Sequence, residues 1–118
     1  MTQISAFFFS VILHFIFDFV FQGSQIGLHK YRLNKYMLAH GLIMSIAAAF
    51  PVWVYSRSIM YSVLAFIWIL ISHLTVDIIR VELNRKYTQG PASSLFWKLL
   101  GLDQILHVSA LFLVFRLI

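Results

Sequence analysis

Four long apolar runs occupy most of this chain, and they limit the folds that it can adopt more than any other feature. The runs cover about residues 4–22, 36–55, 59–83 and 95–117, and each is close to the roughly 20 residues that a helix needs to cross a bilayer. A soluble domain of 118 residues, 61% of them hydrophobic, could not keep so much apolar surface away from water. The sequence therefore predicts an all-α, integral membrane four-helix bundle that forms a single domain.

The positive charges are distributed unevenly around these runs, which predicts the orientation of the bundle. One side of the membrane carries Lys30, Arg32, Lys35, Arg80, Arg85, Lys86 and Lys98, in or beside the first and third connections. The other side carries only Arg57 and Arg116. Because cytoplasmic loops hold the excess of positive charge, we predict a multi-pass protein of the bacterial inner membrane with both termini on the outer side. These flanking charges account for the net charge of +5, so we expect membrane lipids and no nucleic acid as partners.

The acidic residues are few, and most of them lie where a charge is least expected. The chain has four, and three of these are aspartates inside the predicted spans, each four residues from a histidine. The three pairs are His14 with Asp18, His73 with Asp77, and Asp103 with His107. Residues at i and i+4 share one helix face, and ionisable groups in hydrocarbon tend to face a protein interior and a partner. We therefore expect all three pairs to face the inside of the bundle.

The direction of the chain predicts that the three pairs lie at a common depth. The first and third runs approach the cytoplasm with the aspartate nearer to it, and in the fourth run, which leaves the cytoplasm, the motif is reversed. At 1.5 Å per residue, the aspartates form a layer about 6 Å inside the cytoplasmic ends, with the histidines one turn deeper. His40, about one turn into the second run, is expected at the aspartate layer. All four helices would thus contribute to one polar site in the cytoplasmic half of the membrane.

The side chains of this site are those that bind divalent metals. Imidazole suits Zn, Fe, Ni and Cu, and carboxylates also suit Mn and Mg, while three histidines with an open fourth position form a known catalytic zinc arrangement. We predict that the three paired histidines hold a divalent metal, with Zn the leading candidate and Mn or Fe as alternatives. The aspartates and His40 would complete a second metal position or supply a general base. The predicted metal ligands are therefore His14, His40, His73, His107, Asp18, Asp77 and Asp103.

Two other roles stay open for the same residues. Polar side chains in membrane helices form interhelical hydrogen bonds worth about 1 kcal/mol per pair, so the set could be the polar packing core of a structural membrane subunit. It could also be the relay of a small transporter or of a proton or ion channel.

Toward the cytoplasm, Gln22 extends the polar stripe of the first run, and Lys30 is a candidate for binding an anionic substrate group beside the site.

The combination of motifs resembles the DUF3307 family of small bacterial and phage membrane proteins. The matching elements are His14-Phe-Ile-Phe-Asp18-Phe-Val-Phe-Gln22, Lys30, Leu38-Ala-His40, His73-Leu-Thr-Val-Asp77 and Asp103-Gln104-Ile-Leu-His107. They extend over nearly the whole chain, and the resemblance implies that these residues belong to the family pattern. Arg80 stands where we expect Lys in many members, which keeps the charge but not the compact ammonium group. The family's name records an uncharacterised function, so the resemblance implies a fold and a set of motifs but no reaction.

The function that the residues themselves favour is a membrane-embedded, metal-dependent hydrolase. It would act from the cytoplasmic face on a lipid-like or phosphorylated substrate, and Asp18, Asp77, Asp103, Gln22 and Lys30 would be its catalytic residues. A homodimer is compatible with this expectation.

Overall fold

The computed structural model describes residues 1–20 and 34–118, and these form helices joined by short connections. Helix α1 covers Gln3–Phe15 and continues as a π-helical turn over Ile16–Val20. The other elements are α2 (Lys35–Ser56), α3 (Ile59–Tyr87), a 3₁₀ turn (Gly90–Ala92) and α4 (Ser94–Leu117). No strand occurs in the described ranges, so the all-α prediction is confirmed. The last two residues of the first predicted span, which ends at Gln22, lie outside these ranges.

The helices begin where the sequence supplies a capping side chain. Thr2, Asn34 and Ser58 each accept a hydrogen bond from the backbone N–H three residues farther on, at the start of α1, α2 and α3. Between α2 and α3 the connection is only Arg57 and Ser58. Arg57 has the left-handed φ of 55°, and its N–H bonds to the carbonyl of Trp53. Such a short connection makes α2 and α3 an antiparallel hairpin.

Large apolar side chains cover much of the outer surface of the bundle. Ile4, Phe8, Ile46, Ile71 and Ile105 are each more than half exposed. In water such a surface would favour aggregation, whereas in a bilayer it contacts acyl chains. Helices α2, α3 and α4 are each long and apolar enough to cross a membrane, and the first helix is apolar but shorter in its described part. The chain is thus a membrane protein.

The interior of the bundle is divided into an apolar half and a polar half. The apolar half lies toward the N-terminus of α1 and the C-terminus of α4, and we call its buried residues the apolar core. The apolar core comprises Ala6, Ala48, Val52, Ala65, Ile69, Ala110, Leu111, Val114 and Phe115. Hydrogen bonds between helices fasten this half, among them one from Trp68 Nε1 to the carbonyl of Ala110 at 3.0 Å and one from Gln3 Nε2 to the carbonyl of Phe115. The apolar core therefore borders the candidate site on the side of the chain termini.

Helices α2 and α3 approach each other closely in the polar half. A Cβ atom on Gly41 would lie 2.7 Å from Cδ2 of Leu74 and 3.0 Å from its Cγ, closer than carbon atoms ordinarily pack. Glycine is the residue that allows this approach. Since Gly41 follows His40 and Leu74 follows His73, this contact lies directly beside the pair of histidines.

Candidate metal centre

The seven predicted ligand side chains come together in one buried group, which we call the His/Asp cluster. Its members are His14 and Asp18 from α1 and its π turn, His40 from α2, His73 and Asp77 from α3, and Asp103 and His107 from α4. Each is at most 6% exposed. The other two predicted site residues, Gln22 and Lys30, lie outside the described residues.

Asp18 reaches the cluster from the π-helical turn at the end of α1. The wider π turn changes the angle between Asp18 and His14 around the helix axis, and such turns occur frequently at functional sites. The two side chains are 3.7 Å apart, from Nε2 to Oδ2, whereas Asp18 Oδ1 lies 3.1 Å from Nε2 of His40. Asp18 is thus closer to His40 of α2 than to His14, its expected partner. No residue type in the sequence marked this turn, and the sequence analysis did not predict it.

A first set of converging ligand atoms comes from Asp18, His40 and His73. His40 Nε2 lies between the other two, 3.1 Å from Oδ1 of Asp18 and 2.9 Å from Nε2 of His73. All three donor atoms lie within 4.8 Å of one another. We call this set group 1.

A second set comes from His73, Asp77 and His107, and we call it group 2. The two imidazoles contact different oxygens of one carboxylate: His107 Nε2 is 3.0 Å from Asp77 Oδ1, and His73 Nε2 is 3.4 Å from Asp77 Oδ2. The rings of His73 and His107 stack with their centroids 3.9 Å apart and their planes 18° apart. His73 therefore belongs to both groups.

The spacing of these atoms fits a small divalent ion. Zinc binds imidazole nitrogen at about 2.0–2.1 Å, so the corners of a tetrahedral site are about 3.3 Å apart. The distances from His40 Nε2 to its two partners in group 1 are 2.9 and 3.1 Å, and those from Asp77 to the two imidazoles of group 2 are 3.0 and 3.4 Å. These four distances are within a few tenths of an ångström of the tetrahedral spacing. The buried His and Asp residues could thus hold a metal ion.

His14 belongs to neither group, and a glutamine engages its Nε2 atom. Gln104 Nε2 is 3.0 Å from Asp18 Oδ2 and 2.8 Å from Asp103 Oδ2. Carboxylate oxygens only accept hydrogen bonds, so the amide NH₂ must face them and the amide oxygen must face His14. That oxygen is 3.2 Å from His14 Nε2, which must therefore carry the hydrogen. That His14 holds a metal together with His73 and His107 stays a prediction.

Asp103 lies at the edge of the cluster, between a histidine and an arginine. Its Oδ2 is 3.3 Å from His107 Nε2, and its Oδ1 is 3.1 Å from Nε of Arg80. Arg80 also approaches Oδ1 of Asp77, with Nη2 at 4.0 Å, and it is 14% exposed. Arg80 therefore places a positive charge beside the two carboxylates of α3 and α4.

One family of known sequences accounts for nearly the entire chain. The sequence model described as "Protein of unknown function (DUF3307)" matches residues 6–118. The chain belongs to the DUF3307 family. No curated protein and no solved structure matches it. All members of the His/Asp cluster lie within the part of this DUF3307 chain that the family defines.

Two side chains in this DUF3307 protein contribute more than the sequence analysis assigned to them. Gln104 joins His14, Asp18 and Asp103, although it was not among the predicted site residues. The signal that could have identified it is an amide inside an apolar span, directly after an aspartate. Arg80, three residues after Asp77, was counted among the charges that predict the orientation and was noted for its departure from the family pattern, but it was not among the predicted site residues. Both were visible as polar residues, but their partners come from other helices.

Proposed function

We propose that this protein is a membrane-embedded, metal-dependent hydrolase that binds one divalent metal ion through His73. The observation that carries the proposal is the presence of two overlapping groups of nitrogen and oxygen donors inside an apolar bundle. The contacts of His73 in both groups are made by its Nε2 atom, which has one lone pair, so the two groups are alternative positions for a single ion. A bound divalent metal that activates water is typical of hydrolases. We further propose a lipid-like or phosphorylated substrate, because a site buried among membrane helices is reached most directly from the lipid or its head groups.

The charge of the cluster supports a bound cation over a purely structural role. Asp18, Asp77 and Asp103 contribute three negative charges, Arg80 contributes one positive charge, and the sum is −2 when the histidines are neutral. Buried charge without compensation is costly, and ion pairs in a protein interior are a poor source of stability. One divalent ion would neutralise the cluster.

The roles of the side chains follow from their positions relative to the two groups. A bound divalent metal supplies Lewis acidity and a water of lowered pKa. Asp103, which belongs to neither group, is placed to accept a proton as general base, and Gln104 holds its Oδ2 in position. Arg80 is more exposed than any member of the cluster and would bind the anionic group of the substrate. We assign Gln22 and Lys30 to the approach from the cytoplasm.

The proposal includes the orientation predicted from the charges of the connections. We propose four spans in the bacterial inner membrane, both termini outside and the site in the cytoplasmic half. Pairing of two copies is a separate proposal, to be tested by the mass of the detergent-solubilised particle.

The packing below the cluster supports an enclosed site over a transport path. Among the described residues, the interior on the side of the chain termini is filled by Ala6, Val52, Val114 and Phe115, each at most 8% exposed. A proton or ion path would need polar groups or water through this half as well. A flux of protons or metal ions in liposomes that depends on His73 would favour the transporter over the hydrolase.

Metal content is the measurement that tests the proposal most directly. The detergent-purified protein, loaded with Zn or Mn and then desalted, should retain about one ion per chain by elemental analysis. His73→Ala should retain almost none, because it removes a ligand from both groups. His40→Ala and His107→Ala each remove a ligand from one group, and the variant that loses metal identifies the group that holds the ion. His14→Ala is the matched control and should retain the ion, since Gln104 engages its Nε2 atom.

The reaction is tested separately with a short-chain phosphatidic acid in mixed micelles, by release of inorganic phosphate. Asp103→Asn should keep the metal and lose at least about 100-fold in rate, as expected for loss of a general base. Less than about a tenth of an ion per chain in the wild type would refute the metalloenzyme. Loss of metal in His14→Ala equal to that in His73→Ala would restore the set of three histidines.

A further inference from the structure

A small cavity lies against the His/Asp cluster on the side that faces the apolar core. Its volume is about 10 Å³, enough for a single water molecule. The imidazoles of His14, His73 and His107 line it together with Ser10, and so do Ala48, Ile69, Ala110 and Leu111 of the apolar core. The cavity thus lies where the histidines meet the apolar core.

Ser10 places a hydroxyl group at this cavity without a hydrogen-bond partner among the described residues. The residue is 1% exposed, and its Oγ atom is fully buried. Serine in a helix commonly bonds to the carbonyl four residues earlier, as Ser45 and Ser56 do in α2, each at 2.7 Å. Ser10 makes no such bond. A buried hydroxyl without a partner is energetically costly, so its position in contact with a cavity points to a water molecule.

His14 supplies a second partner for such a water. Gln104 fixes the hydrogen on Nε2, which leaves Nδ1 of the same ring as a hydrogen-bond acceptor. His14 lines the cavity and follows Ser10 by four residues, so the two side chains lie one above the other on a single face of α1. Ser10, His14 and Asp18 thus form a continuous polar stripe that ends at the cavity.

We propose that the cavity is a binding site for one structural water, which joins the Ser10 hydroxyl to the imidazole of His14. The cavity is too small for a substrate, and the described residues that line it carry no carboxylate to attract a cation. The water would hold the His14 ring from the side of the apolar core, as Gln104 holds it from the opposite side. Ser10 and Gln104 are therefore positioning residues. The inference does not depend on the hydrolase and would stand if the cluster had another role.

Oxygen-17 magnetic relaxation dispersion tests the proposal, because its amplitude counts water molecules that stay in a protein longer than nanoseconds. Ser10→Ala should hold one such water fewer than the wild type. Ala48→Val should also hold one fewer, since its methyl groups fill the cavity while every polar group remains. Ser45→Ala is the matched control: it removes a buried serine hydroxyl whose bond is to its own helix, and should leave the count unchanged.

The variants test the presence of the water site and the role of Ser10 as its partner separately. An unchanged count in Ala48→Val would overturn the water site, and a loss in Ala48→Val but not in Ser10→Ala would overturn Ser10 as its partner. Circular dichroism identifies any variant that fails to fold, and Ala48→Val keeps the test decisive if Ser10→Ala does so. As a second measurement, the ¹⁵N shifts of His14 should show a hydrogen on Nε2 in the wild type; a hydrogen on Nδ1 would contradict the proposed bond.

Discussion

Replacing Gly41 by alanine tests whether the close approach of α2 and α3 sets the geometry of the His/Asp cluster. The added Cβ would lie 2.7 Å from Cδ2 and 3.0 Å from Cγ of Leu74. Carbon atoms pack at about 3.5–4.0 Å, so the helices must separate by about 0.5–1 Å, or Leu74 must move toward the lipid. Either change acts on residues next to His40 and His73, whose Nε2 atoms are 2.9 Å apart.

The expected magnitude follows from two opposing effects. Overpacking of this size costs about 1–3 kcal/mol, while alanine in place of glycine stabilises a helix interior by about 0.5–1 kcal/mol. Gly101→Ala is the matched control, because it gains the same helix preference and its Cβ would have no neighbour within 4 Å. The difference between the two variants should therefore be about 1–3 kcal/mol, the cost of the clash alone. Displacement of His40 should also weaken metal binding by about 10-fold.

Unfolding in dodecyl maltoside micelles, driven by increasing fractions of sodium dodecyl sulfate, measures the free energies. Leu74→Ala in the Gly41→Ala background removes the clashing atoms, and the double variant should regain metal affinity. The reasoning is refuted if Gly41→Ala matches Gly101→Ala in both stability and metal affinity. A loss that Leu74→Ala does not relieve would show that the helices are held apart by another contact.

Two further predictions concern the charges of the chain. Arg80→Ala should destabilise the metal-free protein by about 3 kcal/mol in the same unfolding assay, because it leaves Asp103 and Asp77 without their guanidinium partner. Arg80→Lys should reduce the free energy of unfolding by a smaller amount. Equal reductions in the two variants would show that the shape of the side chain matters rather than its charge. A tag placed after Ile118 should be cleaved by protease added outside intact spheroplasts, since seven of the nine Lys and Arg residues are predicted to lie on the opposite, cytoplasmic side. Protection of that tag, with cleavage after the membrane is opened, would reverse the orientation.

The arrangement of the cluster also indicates how its members depend on one another. His73 contacts His40 of α2 and the ring of His107 of α4. Gln104 contacts His14, Asp18 and Asp103. Deletion of either side chain should therefore have effects larger than those of a single hydrogen bond, which is worth about 1 kcal/mol. Additive effects of such deletions would mean that these contacts act independently.

The amino-acid sequence by itself determined the class of the protein and the composition of its site. The apolar runs are long enough that only helices satisfy the backbone in lipid, and the i, i+4 spacing places each aspartate near a histidine on the same helix. The rarity of charge in the runs identified His14, Asp18, His40, His73, Asp77, Asp103 and His107 as residues that belong together.

The tertiary structure decided how these residues are divided among partners. It placed His73 in both ligand groups, engaged His14 with Gln104, paired Asp103 with Arg80 and turned Asp18 toward His40. These contacts join different helices, so they depend on how far each helix is rotated about its axis and on how closely it packs. A helix that is apolar on nearly every side gives little indication of that rotation. The π turn at Ile16–Val20 and the close contact at Gly41 are further features that no residue type in the sequence predicted.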